Sequence, residues 1–209
     1  MQMSNAGVRE AGRGECAQLC ATLADAFAAD PIVQWLIPGQ RGRDARLRRM
    51  FALELEQYVF DAGRVITTED IRGAVLELPP AHWQMPTTVP LSDAVSWARV
   101  FGTRLPRASR AQAAFVHDHL QERHYYIRYA GVARRFQGQG LGTALLRPTL
   151  QRCDRECLPA YLEASSERNA ALYARLGFVH LGERRLPDGP PFWPMRRPPA
   201  PPAAVSSPE

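Results

Sequence analysis

Apolar side chains recur along this chain at two different periods. Near the start, Val8 to Ala11 is a short extended stretch. Leu19, Leu23, Ala26 and Phe27 then recur at helical spacing and predict a helix from about Glu15 to Ala29. Asp30-Pro31 ends it, because the residue before a proline avoids helical dihedrals. An apolar segment with Trp35 follows. Leu47, Met50, Phe51, Leu55, Tyr58 and Val59 predict a second helix over Arg43 to Phe60, closed by Gly63. The period then shortens. Arg64 to Thr68 and Gly73 to Leu78, parted by a four-residue turn, predict a β-hairpin that stops at Pro79-Pro80.

The next stretch, Ala81 to Pro90, is punctuated by proline and carries His82, Trp83 and Met85; it is either a connector or the border of a substrate site. Leu91 to Arg104 and Arg107 to Arg123 predict two further helices on either side of Pro106. His124 to Val132 predicts a strand rich in aromatics. A basic, glycine-rich turn follows, and then a helix from Gly140 to about Glu156 with Pro148 inside it. Pro159 to Ala164 predicts a strand. Ser165 or Ser166 can cap a short helix that Gly177 ends. A strand from Phe178 to about Arg185, a turn, and a last strand F-W-P-M-R-R at a sheet edge complete the pattern, since proline favours edges. The expected organisation is one domain over residues 1–197 and a disordered tail over 198–209, where proline and alanine leave little to bury.

Strand, glycine loop, helix is a general way to hold a phosphate. The first helical turn has amides without internal partners, and its dipole end is positive. The glycines Gly138, Gly140 and Gly142 read G-x-G-x-G. A dinucleotide fingerprint would read G-x-G-x-x-G, and a P-loop needs a lysine, of which this chain has none. Further on, Asn169 and Tyr173 stand four apart and share a helical face. A phenol there can donate a proton to a departing group.

Gln137-x-x-Gly140-x-Gly142, with Asn169-x-x-x-Tyr173-x-x-x-Gly177-Phe178, resembles the GNAT superfamily of N-acetyltransferases, most of all the puromycin N-acetyltransferase group. The resemblance covers most of residues 124–197. It implies an α/β (α+β) fold: a central mixed, mostly antiparallel sheet with splayed central strands, flanked by helices. It implies acetyl-CoA as co-substrate, with amides of Gln137, Gly138, Gln139, Gly140, Leu141, Gly142 and Thr143 on the pyrophosphate. The strand end at Val132, Ala133 and Arg134 would pair with the pantetheine arm, Val132 would hold the oxyanion, and the strand would kink there. Asn169 would contact CoA and Tyr173 would act as general acid. His124 is the candidate base, with Glu77 and Glu163 in reserve. Trp35 and Trp83 are candidate walls of the acceptor pocket. The implied acceptor is a small-molecule amine, antibiotic-like or a metabolite; a protein amine or a weakly catalytic acyl-CoA-binding role are the alternatives.

Composition narrows this further. The 209 residues carry a net charge of +5, and every cation is an arginine. The arginines are scattered and do not interleave with aromatics, which argues against nucleic acid and suits a polyanionic co-substrate. No apolar run is long enough for a bilayer and the N-terminus lacks signal-peptide features, so no membrane role and a cytoplasmic location are expected. Cys16/Cys20 and Cys153/Cys157 are spaced i, i+4, unlike the usual zinc motifs. His117, His119 and His124 do not share a helical face, so no metal is expected. A monomer or a homodimer is compatible with the sequence.

Overall fold

The computed structural model describes residues 7–84 and 91–200. Among these, eight strands form one sheet: β1 (Val8–Glu10), β2 (Arg64–Thr68), β3 (Gly73–Leu78), β4 (Tyr125–Val132), β5 (Ala160–Ala164), β6 (Val179–His180), β7 (Arg184–Arg185) and β8 (Pro191–Arg197). The spatial order is β1-β2-β3-β4-β5-β8-β6, with β7 also on β8. Only β4 and β5 run parallel. The sheet is therefore mixed and mostly antiparallel. The expected hairpin is present, with Ile66 opposite Val75.

The helices are α1 (Cys16–Ala26), α2 (Pro31–Leu36), α3 (Arg43–Glu54), α4 (Phe60–Ala62), α5 (Leu91–Phe101), α6 (Leu105–His117), α7 (Leu141–Arg155) and α8 (Glu167–Ala174). Strand alternation sorts the core into two layers. Leu76, Leu78, Tyr126 and Tyr161 pack with Leu19 and Leu23 of α1 and Phe51 of α3. Val75, Ile127 and Leu162 pack on the other face with Leu145, Leu146 and Leu150 of α7. Gly131 lets α1 lie close on β4: a Cβ there would stand 2.7 Å from the Phe27 ring.

The central strand is irregular at one residue. Leu76 faces Tyr129 and the next residue, Glu77, faces Ile127, so Arg128 is the extra residue of a bulge. Arg128 and Tyr129 consequently both turn toward α3. There Arg128 Nε meets Glu54 Oε2 at 2.6 Å and the Tyr129 hydroxyl donates to Glu54 Oε1 at 3.1 Å. Glu54 is the last residue before a π-helical turn, Leu55–Val59, that joins α3 to α4. The irregularity expected at Val132 thus falls four residues earlier, where a buried charge pair fixes it.

Several boundaries differ from expectation. The segment around Trp35 is a helix, because Asp30 caps it: Oδ1 accepts from the Ile32 and Val33 amides, both at 3.0 Å. The helix expected to reach Arg123 stops at His117. Pro106 sits in the first turn of α6, where a missing N–H costs nothing. The strand expected over Phe178 to Arg185 breaks into β6 and β7 around Gly182, whose φ is +105°. The last strand is interior to the sheet. Its proline is tolerated because Pro194 faces the gap between β6 and β7, where its carbonyl accepts the Leu181 amide at 2.9 Å and no donor is required. The expected tail begins with an ordered contact, the Ala200 amide on Asp154 Oδ1 at 2.7 Å; residues 201–209 lie outside the described residues.

All four cysteines are free. Cys20 and Cys153 are buried and their thiols are pushed up to about 12 by that burial, whereas Cys157 is exposed.

The Glu54–Arg128 pair is 6% and 7% exposed. Replacing one partner strands the other charge, so Arg128→Met should cost about 3–5 kcal/mol in urea unfolding, and adding Glu54→Gln should recover part of that loss.

Candidate active site

A cleft opens where two neighbouring strands part. β4 and β5 pair only at Tyr125–Ala160 and Tyr126–Tyr161. Beyond the bulge they diverge around a cavity of about 530 Å³. Ile127 to Ala130 of β4 form one wall, and Leu162 to Ser165, at the end of β5, form the other. Asn169 and Tyr173 of α8 reach it, as do Val33 of α2 and Phe27 and Asp30 of the link that precedes α2. Trp97, Phe101 and Phe115 of α5 and α6 close it over.

The backbone of β4 supplies polar groups to the gap. The Ala133 amide donates to Arg72 O at 2.9 Å, on the β3 side. Alternation then turns the amides of Val132 and Ala130 toward the gap. The Val132 carbonyl already accepts Gln137 Nε2 at 3.0 Å. The Arg134 amide is not free for a pantetheine arm: it donates to Asp25 Oδ2 at 2.7 Å, and Arg134 Nε meets Asp25 Oδ1 at 2.9 Å.

The glycine loop has the conformation its residues allow. Gly138 and Gly140 have φ of +75° and +80°, a region that costs other residues about 1–2 kcal/mol. Gly140 is the N-cap of α7 and has no side-chain cap. The amides of Leu141, Gly142 and Thr143 precede the first internal helical bond, Ala144 N–H to Gly140 O. A Cβ at Gly138, Gly140 or Gly142 would meet nothing within 4 Å, so this face is open to a ligand. A pyrophosphate fits such a loop, held by amides rather than by side chains.

On α8, Ser166 caps the helix by accepting the Asn169 amide at 3.3 Å. The Asn169 side chain donates to Ser165 Oγ at 3.3 Å, and Ser165 in turn bonds Asp30. Tyr173 is buried at the cleft, edge-on to Phe178. Burial, and then the nearby Asp30 charge, push its phenol up to about 12. It therefore keeps its proton at any working pH.

The expected acceptor residues divide. Trp83 lines the cleft and stacks on His119 at 3.9 Å. Trp35 does not line it. On α2 the cleft side is taken by Ile32, Val33 and Leu36. Trp35 instead donates Nε1–H to Asp188 O at 2.9 Å and covers Gly189. His124 is buried one layer behind the cleft, with Nδ1 on Glu122 O at 2.7 Å and Nε2 on His119 Nε2 at 3.0 Å. His119 and Glu163 are the groups at the wall. Glu77 lies on the far face, beside Arg64 and Arg152. Met85 lies outside the described residues. Glu54 and His119 were not expected here. The sequence signal for His119 was its closeness to His124. Among the described residues no group of three or more His, Cys, Asp or Glu could hold a metal ion, and no helix is long and apolar enough to cross a membrane.

Residues 107–198 match the acetyltransferase (GNAT) domain family. A crystal structure described as histone acetyltransferase HPA2 and related acetyltransferase, from Corynebacterium glutamicum, is 31% identical, covering 94% of this chain and 98% of that one, with a TM-score of 0.73. The chain belongs to the GNAT acetyltransferase family. An uncharacterized N-acetyltransferase of Schizosaccharomyces pombe is 29% identical over 180 residues, 77% of this chain and 69% of that protein. A Drosophila melanogaster polyamine N-acetyltransferase that forms N-acetylagmatine shares the GNAT fold at 17% identity, covering 92% of this chain and 99% of that one, with a TM-score of 0.63. The protein is thus a GNAT enzyme that transfers acetyl groups to amines, and acetyl-CoA is the donor that the fold uses.

Placing a Cβ at Gly140 strains the N-cap of α7 without blocking the loop face. Gly140→Ala should lower stability in urea unfolding by ~1–2 kcal/mol, the left-handed strain, while acetyl-CoA still binds the open loop in calorimetry.

Proposed function

We propose that this GNAT enzyme acetylates the amine of a small molecule with an apolar, aromatic-compatible body. The observation that carries this reading is the state of the acids around the cleft. Glu54 is committed to Arg128 and Tyr129. Asp30 is committed to two helix amides and Ser165. Glu163 lines the cleft and bonds a neutral tyrosine and a histidine, with no arginine among its hydrogen-bond partners in the described residues. One carboxylate among aromatic walls suits one ammonium group on an otherwise apolar acceptor.

The chemistry then follows. Glu163, a reserve candidate in the sequence, takes the ammonium proton in place of His124, which does not reach the cleft. The amine nitrogen bonds to the thioester carbonyl carbon. The Val132 amide, turned into the gap, stabilises the oxygen that gains charge. The C–S bond breaks and Tyr173 gives its proton to the leaving sulfur. Amides from Gln137 to Thr143 hold the pyrophosphate and Asn169 orients the same ligand. Trp83 supplies acceptor contact. Closure of the cleft by α5 and α6 favours a small molecule over a protein amine. Puromycin, an aromatic body with one amine, fits this description, as do antibiotic-like amines in general. Residues 1–197 are read as one acetyltransferase domain acting in the cytoplasm as monomer or homodimer.

The test is thiol release from acetyl-CoA across a panel of amines that includes puromycin. Turnover should rise with the apolar bulk of the acceptor; turnover confined to peptides, or absent on every amine, would overturn the reading. Tyr173→Phe should lower kcat by about 10²–10⁴-fold with little change in acetyl-CoA affinity. The phenol's position near 12 adds a sign. Burial and Asp30 disfavour the phenolate, so kcat in the wild type should show no alkaline fall from Tyr173 below about pH 11.

A further inference from the structure

Behind the acceptor wall runs a line of groups that the mechanism above uses only at its end. His124 Nδ1 lies 2.7 Å from the carbonyl of Glu122, which can only accept. His124 Nε2 lies 3.0 Å from His119 Nε2. His119 Nδ1 lies 3.2 Å from Glu163 Oε1, and Tyr126 donates to Glu163 Oε2 at 2.8 Å. Three hydrogen bonds therefore run between Glu122 O and Glu163 Oε1, and each needs one proton. Two neutral imidazoles supply two protons and a carboxylate supplies none. With only two, one gap would set lone pair against lone pair, in a buried site where an unmade bond is costly. The line is complete only with one proton more.

Its place along the line can be argued. His124 must give Nδ1–H to the carbonyl, and burial, first of all, pushes its pKa down, so the second ring proton is disfavoured there. His119 then donates Nε2–H to His124. The extra proton is left between His119 Nδ1 and Glu163. Trp83 stacks on His119 at 3.9 Å and 18°, a face that favours a cation. The Tyr126 phenol donates to the other Glu163 oxygen, which favours the carboxylate.

We propose that His119 and His124 are positioning residues that store one proton against Glu163, so that Glu163 becomes the free proton acceptor for the amine only once that proton has left. This rests on the assignment of Glu163 as base for its effect on rate, though not for the stored proton itself. The other groups facing the line do not compete for the proton. Tyr126 and Tyr161 are raised well above the usual phenol by burial and stay protonated. The Asp118 carboxylate faces Arg184 at 3.5 Å, and the Glu122 carboxylate is paired with Arg196. Arg128 is committed to Glu54.

The test uses the full chain with its five histidines labelled with nitrogen-15 and followed by NMR against pH. While the line holds its extra proton, His124 should carry a proton on Nδ1 alone and His119 should carry both, and the two should lose that proton in one joint step. In Glu163→Gln the side-chain amide supplies the third proton, so both rings should stay neutral and the joint step should vanish. Two rings titrating independently, or a His119 that is neutral beside the native Glu163 at every pH, would overturn the proposal. Turnover gives a second arm. His119→Gln removes the stored proton, so the acid limb of kcat/KM should move to lower pH, retaining about tenfold more of the maximal rate per unit of movement. An acid limb unmoved in that variant would overturn the role in rate. Failure of acetyl transfer on every amine would sink the functional reading while leaving the histidine titration intact.

Discussion

The parting of β4 from β5 makes the site possible, and it depends on a buried ion pair. A regular strand would keep its ladder closed and leave no room between its neighbours. Here the extra residue, Arg128, turns the strand, and the turn is held from α3 by Glu54. Taking two charges out of water is expensive unless geometry and further hydrogen bonds compensate. The compensation comes from both guanidinium contacts, from the Tyr129 hydroxyl, and from the Tyr58 and Tyr129 rings beside the guanidinium. The same contacts remove Glu54 from the list of acids free to meet a ligand. One interaction therefore opens the cleft and simplifies its electrostatics.

The end of α1 and the link after it work on both sides of that opening. Asp25 holds the backbone and guanidinium of Arg134, at the start of the glycine loop. Phe27 lies against Gly131 on the strand that lines the gap. Asp30 starts α2, which walls the cleft, and bonds Ser165, which bonds Asn169. Within six residues the chain touches the loop, the central strand and the helix that bears Tyr173. A shift of α1 would therefore be felt by the donor side and the acceptor side together.

Much of this was legible from residue order, and the remainder has physical reasons. β2 and β3 could be read because short apolar runs were bounded by a turn and a proline pair. The glycine loop and α8 could be read because their residue types, three glycines and a serine cap, are demanded by local backbone geometry. The bulge could not, since a one-residue slip leaves Y-Y-I-R-Y looking like any aromatic strand. The end of α6 at His117 has no glycine or proline to mark it, so His119 looked like one more helical position. Trp35 pointed the wrong way because its segment was read without a periodicity, and once α2 forms, Ile32, Val33 and Leu36 take the inner face. Pro194 looked like an edge residue because nothing local says that β6 and β7 leave a gap opposite it.

The cleft's apolar walls strengthen the electrostatic effect of its few polar groups. In a site lined by Phe27, Trp97, Phe101 and Phe115, an unpaired charge is costly and a paired one is held firmly. Asp30 shows the first effect: burial pushes its carboxyl up, against the helix amides and Ser165 that pull it down. Tyr173 shows it too: the same burial keeps its phenol protonated. A group meant to lose a proton and a group meant to gain one must be kept apart in such a medium. In the mechanism proposed above these are Tyr173 on α8, beside Asp30, and Glu163 on β5, backed by two imidazoles. In that mechanism the proton leaving the amine and the proton reaching the sulfur are handled by different elements of the cleft wall.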